Sequence, residues 1–179
     1  MMVMVNMKNV IYCDITRCDN CGECISACER EHYGRVSMFI QPVADYFIPA
    51  NCRHCEQSPC VEVCPTGACS RINDDVVAIA PMKCVGCQLC NLACPFGSIW
   101  FDTLDKISRK CDLCKDRLAY GLEPACIKAC TPQHALVYGE FEAMLKTGKQ
   151  RGLRTVATRS SGGSGMVVSL PADLNGKGG

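Results

Sequence analysis

The chain has 179 residues, of which 18 are cysteine and only 6% aromatic, so length allows one ordinary domain or two very small ones. So little aromatic surface argues against a large apolar core, and something other than burial must hold the fold. A formal charge of +1 leaves no footprint for nucleic acid, and no apolar run approaches a membrane span.

In chain order, VIYCDI (10–15) reads as a strand leading into a first cysteine group, Cys18-x2-Cys21-x2-Cys24-x3-Cys28. Residues 29–51 hold VSMFI and YFIPA, two extended segments. The second group is Cys52-x2-Cys55-x4-Cys60-x3-Cys64, followed by Pro65. CSRI and VVAIA then flank Asn73-Asp74-Asp75, the pattern of a β-hairpin. Cys84, Cys87, Cys90 and Cys94 repeat the first spacing and precede Pro95. The fourth group is Cys111-x2-Cys114-x11-Cys126-x3-Cys130, its long gap (KDRLAYGLEPA) filled by a short helix and a Gly/Pro turn. PTGAC, PFGSI and TPQHAL follow the last three groups as turns into short strands, an internal repeat. EFEAMLK (140–146) reads as a last helical turn or two. Residues 147–179 hold eight of the fifteen glycines, five basic residues and one acid, and predict a flexible basic tail. Its apolar stretch, Met166–Leu170, reads as a disordered end or as a strand added to a neighbouring subunit.

The opening MMVMVNMKNV is short and polar for a secretory segment, with no twin arginine, so a cytoplasmic setting is expected. There, dense cysteine points to metal rather than disulfides. C-x2-C-x2-C-x3-C-P is the bacterial ferredoxin spacing for [4Fe–4S] clusters. Three close thiolates wrap one loop around a cubane, each on a separate iron. The fourth, four residues on, shares a helix face with the third and binds the next cluster, so groups work in pairs. Clustered triplets are poor disulfide geometry. Zinc favours two separated C-x2-C pairs, which only the fourth group resembles. Sixteen ligands follow: Cys18, Cys21, Cys24, Cys28, Cys52, Cys55, Cys60, Cys64, Cys84, Cys87, Cys90, Cys94, Cys111, Cys114, Cys126 and Cys130. Cys13 and Cys69 fall outside the pattern and read as small core residues.

Over residues 9–140, the motifs CDNCGECISACEREH, CRHCEQSPCVEVCPTGA, CVGCQLCNLACPFGSI and KCDLCKDRLAYGLEPACIKAC resemble those of four-cluster, ferredoxin-like electron-transfer subunits. Such subunits accompany molybdopterin or tungstopterin oxidoreductases of the dimethyl sulfoxide reductase and formate dehydrogenase type, hydrogenases, carbon monoxide dehydrogenases and aldehyde oxidoreductases. The resemblance implies that group one pairs with four, and two with three. One cluster then takes Cys18, Cys21, Cys24 and Cys130, and its partner Cys111, Cys114, Cys126 and Cys28. A third takes Cys52, Cys55, Cys60 and Cys94, and the fourth Cys84, Cys87, Cys90 and Cys64. The implied fold is α+β: two ferredoxin-like modules of short hairpins and short helices around four clusters. One module is inserted (52–104), the other split around it (1–51 and 105–146), with 147–179 as the tail.

With every iron bound by its own thiolate, no position is left open for a substrate. The C-x3-C-x2-C spacing of radical enzymes does not occur, and Lewis-acid hydrolysis also needs an open site. The chain is therefore expected to be non-catalytic, relaying electrons through four [4Fe–4S] clusters to or from a large catalytic subunit, with iron–sulfur or flavin subunits as further partners. An anaerobic metabolism suits such clusters. The alternatives are a free-standing polyferredoxin, a zinc-binding interaction module and a cluster-assembly scaffold. Sixteen thiolates and four oxidised cubanes would bring the loaded charge to about −7, and the basic tail would be drawn to such acidic surfaces. Arg17, Arg53, Lys83 and Lys110 each adjoin a group's first cysteine, as potential-raising cations or plain surface charge. For His54, inside the second group, a hydrogen bond or packing is favoured over ligation. His32 and His134 carry no ligand spacing, and Trp100 and Phe101 are expected to pack beside a cluster.

Overall fold

A computed structural model describes residues 9–72, 76–131, 134–157 and 166–170. Ten strands and six helices, none longer than ten residues, lie among them. This is a small α+β fold in which loops carrying cysteine, rather than long amphipathic elements, occupy the centre. No described helix is long and apolar enough to cross a membrane.

The most deeply buried strand anchors the largest sheet. Strand β1 (Asn9–Asp14) is buried along nearly its whole length, as a strand covered on both faces must be. Ile11 and Cys13 point into a core shared with Cys24, Cys28, Leu113, Cys126 and Ile127. Val10 and Tyr12 face the other way, against Phe141, Met144 and Leu145 of α6 (Phe141–Gln150). β1 runs antiparallel to β8 (Leu136–Glu140) and parallel to β10 (Met166–Leu170). With β9 (Arg154–Ala157) at the edge, the order is β8-β1-β10-β9.

That sheet corrects the expectation for residues 147–179. Low complexity dominates the window, but β1 needs a partner on each side to satisfy its backbone. Met166–Leu170 supplies one within its own chain rather than for a neighbouring subunit. Val168 joins the core and Ser169 is fully buried. α6 also continues beyond 146, and Arg151, just past its end, forms an ion pair with the buried carboxylate of Asp14. The SSGGSG segment and residues 171–179 lie outside the described residues.

Three hairpins carry the rest. β2 (Met38–Val43) pairs with β3 (Tyr46–Asn51), realising the two extended segments of 29–51. β4 (Cys69–Ile72) pairs with β5 (Val76–Ile79), and the Asn73-Asp74-Asp75 turn lies outside the described residues. β6 (Ile99–Asp102) pairs with β7 (Ile107–Lys110). The module boundary expected at 104 falls in this last turn, so the two stretches of chain share a two-stranded sheet. Asp102 fastens it: one carboxylate oxygen accepts from Leu104 N at 3.0 Å and Asp105 N at 3.2 Å, the other from Arg109 Nε at 2.7 Å. Arg35, from the first part of the chain, reaches Asp105 at 2.6 Å.

The short helices pair as the family resemblance implies. α1 (Glu23–Glu31) packs on α5 (Ala125–Ala129), and α2 (Pro59–Glu62) on α3 (Leu89–Ala93). α4 (Lys115–Ala119) fills the long gap of the fourth group.

Two predictions follow from this packing. A Cβ at Gly86 (φ +70°) would lie 2.4 Å from the Lys106 carbonyl oxygen and 3.3 Å from Phe101 Cε2. Gly86→Ala should therefore cost about 2 kcal/mol or more, seen as a lower denaturant midpoint of the cluster-loaded protein. Removing residues 158–179 strips β10 from β1 and should lower the thermal midpoint by roughly 5 °C or more; an unchanged midpoint would contradict its place in the sheet.

Candidate metal centres

Each cysteine group opens with the same backbone device. The residue before its second cysteine has positive φ: Asn20 (61°), His54 (44°), Gly86 (70°) and Leu113 (61°). A left-handed residue at this place turns successive N–H groups to one side and makes a nest for negative charge. Non-glycine residues hold three of these positions, each at about 1–2 kcal/mol of backbone strain. Gly22 and Gln88 repeat the conformation after the second cysteine of groups one and three. The nests are aimed at sulfur: His54 N lies 3.3 Å from Cys52 Sγ and Leu113 N 3.4 Å from Cys111 Sγ. The strand that follows a group adds another donor. Cys69 N points at Cys64 Sγ (3.3 Å), Leu136 N at Cys130 Sγ (3.4 Å) and Ser37 N at Cys28 Sγ (3.4 Å).

Three small cavities are lined by cysteines drawn from two groups apiece. Cys18, Cys21, Cys24 and Cys130 line one. Cys52, Cys55, Cys60 and Cys94 line a second. Cys64, Cys84, Cys87 and Cys90 line a third, with Cys69 beside them. Cys28, Cys111, Cys114 and Cys126 are electrostatic neighbours. The Cys126 thiol is pushed well up, first by burial and then by Cys111, Cys114 and Cys28, while Cys28 acts on Cys114. We label the four sets A (Cys18, Cys21, Cys24, Cys130), B (Cys28, Cys111, Cys114, Cys126), C (Cys52, Cys55, Cys60, Cys94) and D (Cys64, Cys84, Cys87, Cys90).

Electrostatic influence links the sets in the order A, B, C, D: Cys24 acts on Cys126, Cys52 on Cys111, and Cys60 on Cys90. α1 carries both Cys24 and Cys28, and α2 with its C-cap region carries Cys60 and Cys64. Asn51 Nδ2 points at Cys111 Sγ at 3.9 Å.

The donor chemistry fits iron–sulfur clusters. Burial and mutual repulsion raise Cys24 to about 12 and Cys114 to about 11, and push Cys111 up as well. Thiolates crowded this closely are stable together only around positive charge, which a metal core supplies and which deprotonates the ligands outright. Two thiols go the other way: Cys60 is pulled down by the Cys69 thiol and further by Lys110, and Cys64 is lowered against its desolvation by hydrogen bonds led by the Cys69 N–H. Cys69 is thus a buried donor to Cys60, and Cys13, fully buried in β1, has its thiol raised chiefly by desolvation.

The four cations flanking the first cysteines divide. Arg17 and Lys83 are exposed. Arg53 stacks on the Phe96 ring at 4.1 Å, joining groups two and three. Lys110 is buried, its ammonium donating to the Val77 and Cys111 carbonyls. His54 is fully buried beside set C, and His32 Nε2 lies 3.6 Å from Cys114 Sγ. Phe101 sits against the group-three loop, as expected, whereas Trp100 lines a cavity with Val36, Met38 and Phe39 instead. The sequence did not single out Asn51 or the left-handed residues. The recurring place of the latter, one before the second cysteine, was a signal open to use.

Four-thiol cavities, sulfur-directed nests and paired helices define an iron–sulfur protein of the ferredoxin kind. A family model for the 4Fe-4S dicluster domain matches residues 43–140, and one for a 4Fe-4S binding domain matches 15–34. The uncharacterized ferredoxin MJ0265 of Methanocaldococcus jannaschii is 44% identical over 126 residues, 70% of this chain and 69% of its own. The uncharacterized ferredoxin-like protein YdhX of Escherichia coli is 36% identical over 154 residues (76% and 69%). The thiosulfate reductase electron transfer subunit PhsB of Salmonella typhi is 36% identical over 143 residues (72% and 74%). The chain belongs to the 4Fe-4S dicluster ferredoxin family, binds [4Fe–4S] clusters and transfers electrons; it is not a catalytic subunit.

Because bound clusters would hold the cysteine loops together, removing iron under anaerobic chelation should abolish protease resistance and near-UV circular dichroism. A metal-free chain that still unfolds cooperatively would refute this.

Proposed function

We propose that sets A, B, C and D each bind one [4Fe–4S] cluster, and that the chain conducts electrons along the row A–B–C–D to or from the catalytic subunit of an oxidoreductase complex. The observation that carries this is the grouping of thiols from two cysteine groups around each of three cavities, with the fourth set completing the row. A [4Fe–4S] cluster supplies a one-electron couple when bound. The chain's own residues do the rest. The nests and strand N–H groups hold the thiolates in place, and apolar cover from Ile11, Leu113, Ile127 and Leu136 limits water around sets A and B. Two cysteines on one short helix keep adjacent centres a helical turn apart.

The domain division 52–104 within 1–51 and 105–146 follows from the same pairing. The partner is a large oxidoreductase subunit of the kind that a thiosulfate reductase electron transfer subunit accompanies, and the setting a reducing cytoplasm.

Anaerobically purified protein should contain about sixteen iron and sixteen sulfide per chain and show coupled cubane signals in paramagnetic resonance after reduction. Cys55→Ser should remove or convert one cluster and leave three. About four zinc in colourless protein, or far less iron, would overturn the assignment. Anaerobic affinity purification from the native cell should bring down the catalytic subunit in a fixed ratio. A chain recovered alone, with salt-sensitive reversible binding, would point to a shuttle instead.

A further inference from the structure

His54 and Lys110 meet at one residue of β5. His54 Nδ1 accepts the Val77 N–H at 3.2 Å, and the Val77 carbonyl accepts from the Lys110 ammonium. An imidazole whose Nδ1 is an acceptor carries its proton on Nε2. That Nε2 is buried and has no hydrogen-bond partner among the described residues. A buried N–H without a partner is unfavourable, so its position needs an acceptor. His54 and Lys110 both line the cavity bounded by Cys52, Cys55, Cys60 and Cys94, where thiolates and cluster sulfides would be the acceptors.

Lys110 makes the same point independently. It is 7% exposed and pairs with no carboxylate among the described residues. A buried, unpaired cation is unfavourable unless negative charge lies nearby, and Lys110 stands between Cys60 of set C and Cys111 of set B.

We propose that His54 donates an Nε2–H hydrogen bond to the cluster of set C and that Lys110 adds a buried positive charge beside it, together raising that cluster's reduction potential. This rests on the cluster assignment above. The physical basis is that reduction adds one negative charge to an already anionic centre, and both groups favour the more negative form. Val77 holds both, His54 through its N–H and Lys110 through its carbonyl, and their presence at one cavity makes set C the electron-holding step of the row.

The test is an anaerobic redox titration of the loaded protein followed by paramagnetic resonance. His54→Leu and Lys110→Met should each shift the oxidised-to-reduced ratio of one and the same cluster tenfold or more towards oxidised, equivalent to about 59 mV for a one-electron couple. Iron content should stay unchanged in both variants; His54→Leu should leave the other signals in place, and Lys110→Met should shift the cluster of set B as well, since Lys110 also adjoins Cys111. Unshifted potentials in both variants at full iron content would overturn the proposal. Should the Leu variant lose iron, replacing His32 and His134 by Asn leaves His54 as the only one of the three histidines. With 15N-histidine, a nitrogen coupling on one reduced cluster then supports the bond, and its absence refutes it. Iron content and the four signals of the unaltered protein report separately on the assignment beneath.

Discussion

Crowded thiols that cannot all ionise without a positive core are the constraint on which this structure depends. Burial and neighbouring sulfurs raise thiols such as Cys24, Cys114 and Cys126 above their ordinary value, so on their own they resist the charge state that ligation needs. Metal reverses that sign. Helices of four or five residues and hairpins of four-residue strands then suffice, because they do not have to enclose a conventional apolar centre. Backbone strain at Asn20, His54 and Leu113 belongs to the same balance, since left-handed residues are the means by which N–H groups converge on sulfur.

Much of this was legible from spacing. C-x2-C-x2-C-x3-C is a geometric instruction, and the intervals of Cys24 to Cys28 and Cys60 to Cys64 foretell one helix face serving two centres. The hairpin at CSRI/VVAIA and the extended segments at VSMFI and YFIPA were visible because alternation and turn residues are local signals. What composition concealed was non-local. Residues 147–179 look like solvent-loving tail, yet the demand for a strand at Met166–Leu170 comes from β1, far away in sequence. Lys110 shows the same limit: beside Cys111 it reads as an ordinary surface cation, and only the fold buries it under Val77.

The arrangement also separates structural from redox roles among the cysteines. Cys13 sits in β1 and lines none of the three thiol cavities, whereas Cys69, at the start of β4, lines the one bounded by Cys64, Cys84, Cys87 and Cys90. Cys69 still matters to its neighbour, since a neutral thiol that donates to Cys60 moderates the charge on that sulfur. An apolar replacement of the same size would fill the space and lose the donor.

The parallel pairing of β1 with β10 bears on biogenesis. β1 must wait for Met166–Leu170 before its second edge is paired. Under the proposed pairing the same delay applies to Cys18 and Cys130, whereas Cys52 to Cys94 emerge in one contiguous stretch. On a ribosome that releases the chain from its N-terminus, that reading gives maturation a direction, from the middle of the polypeptide outward.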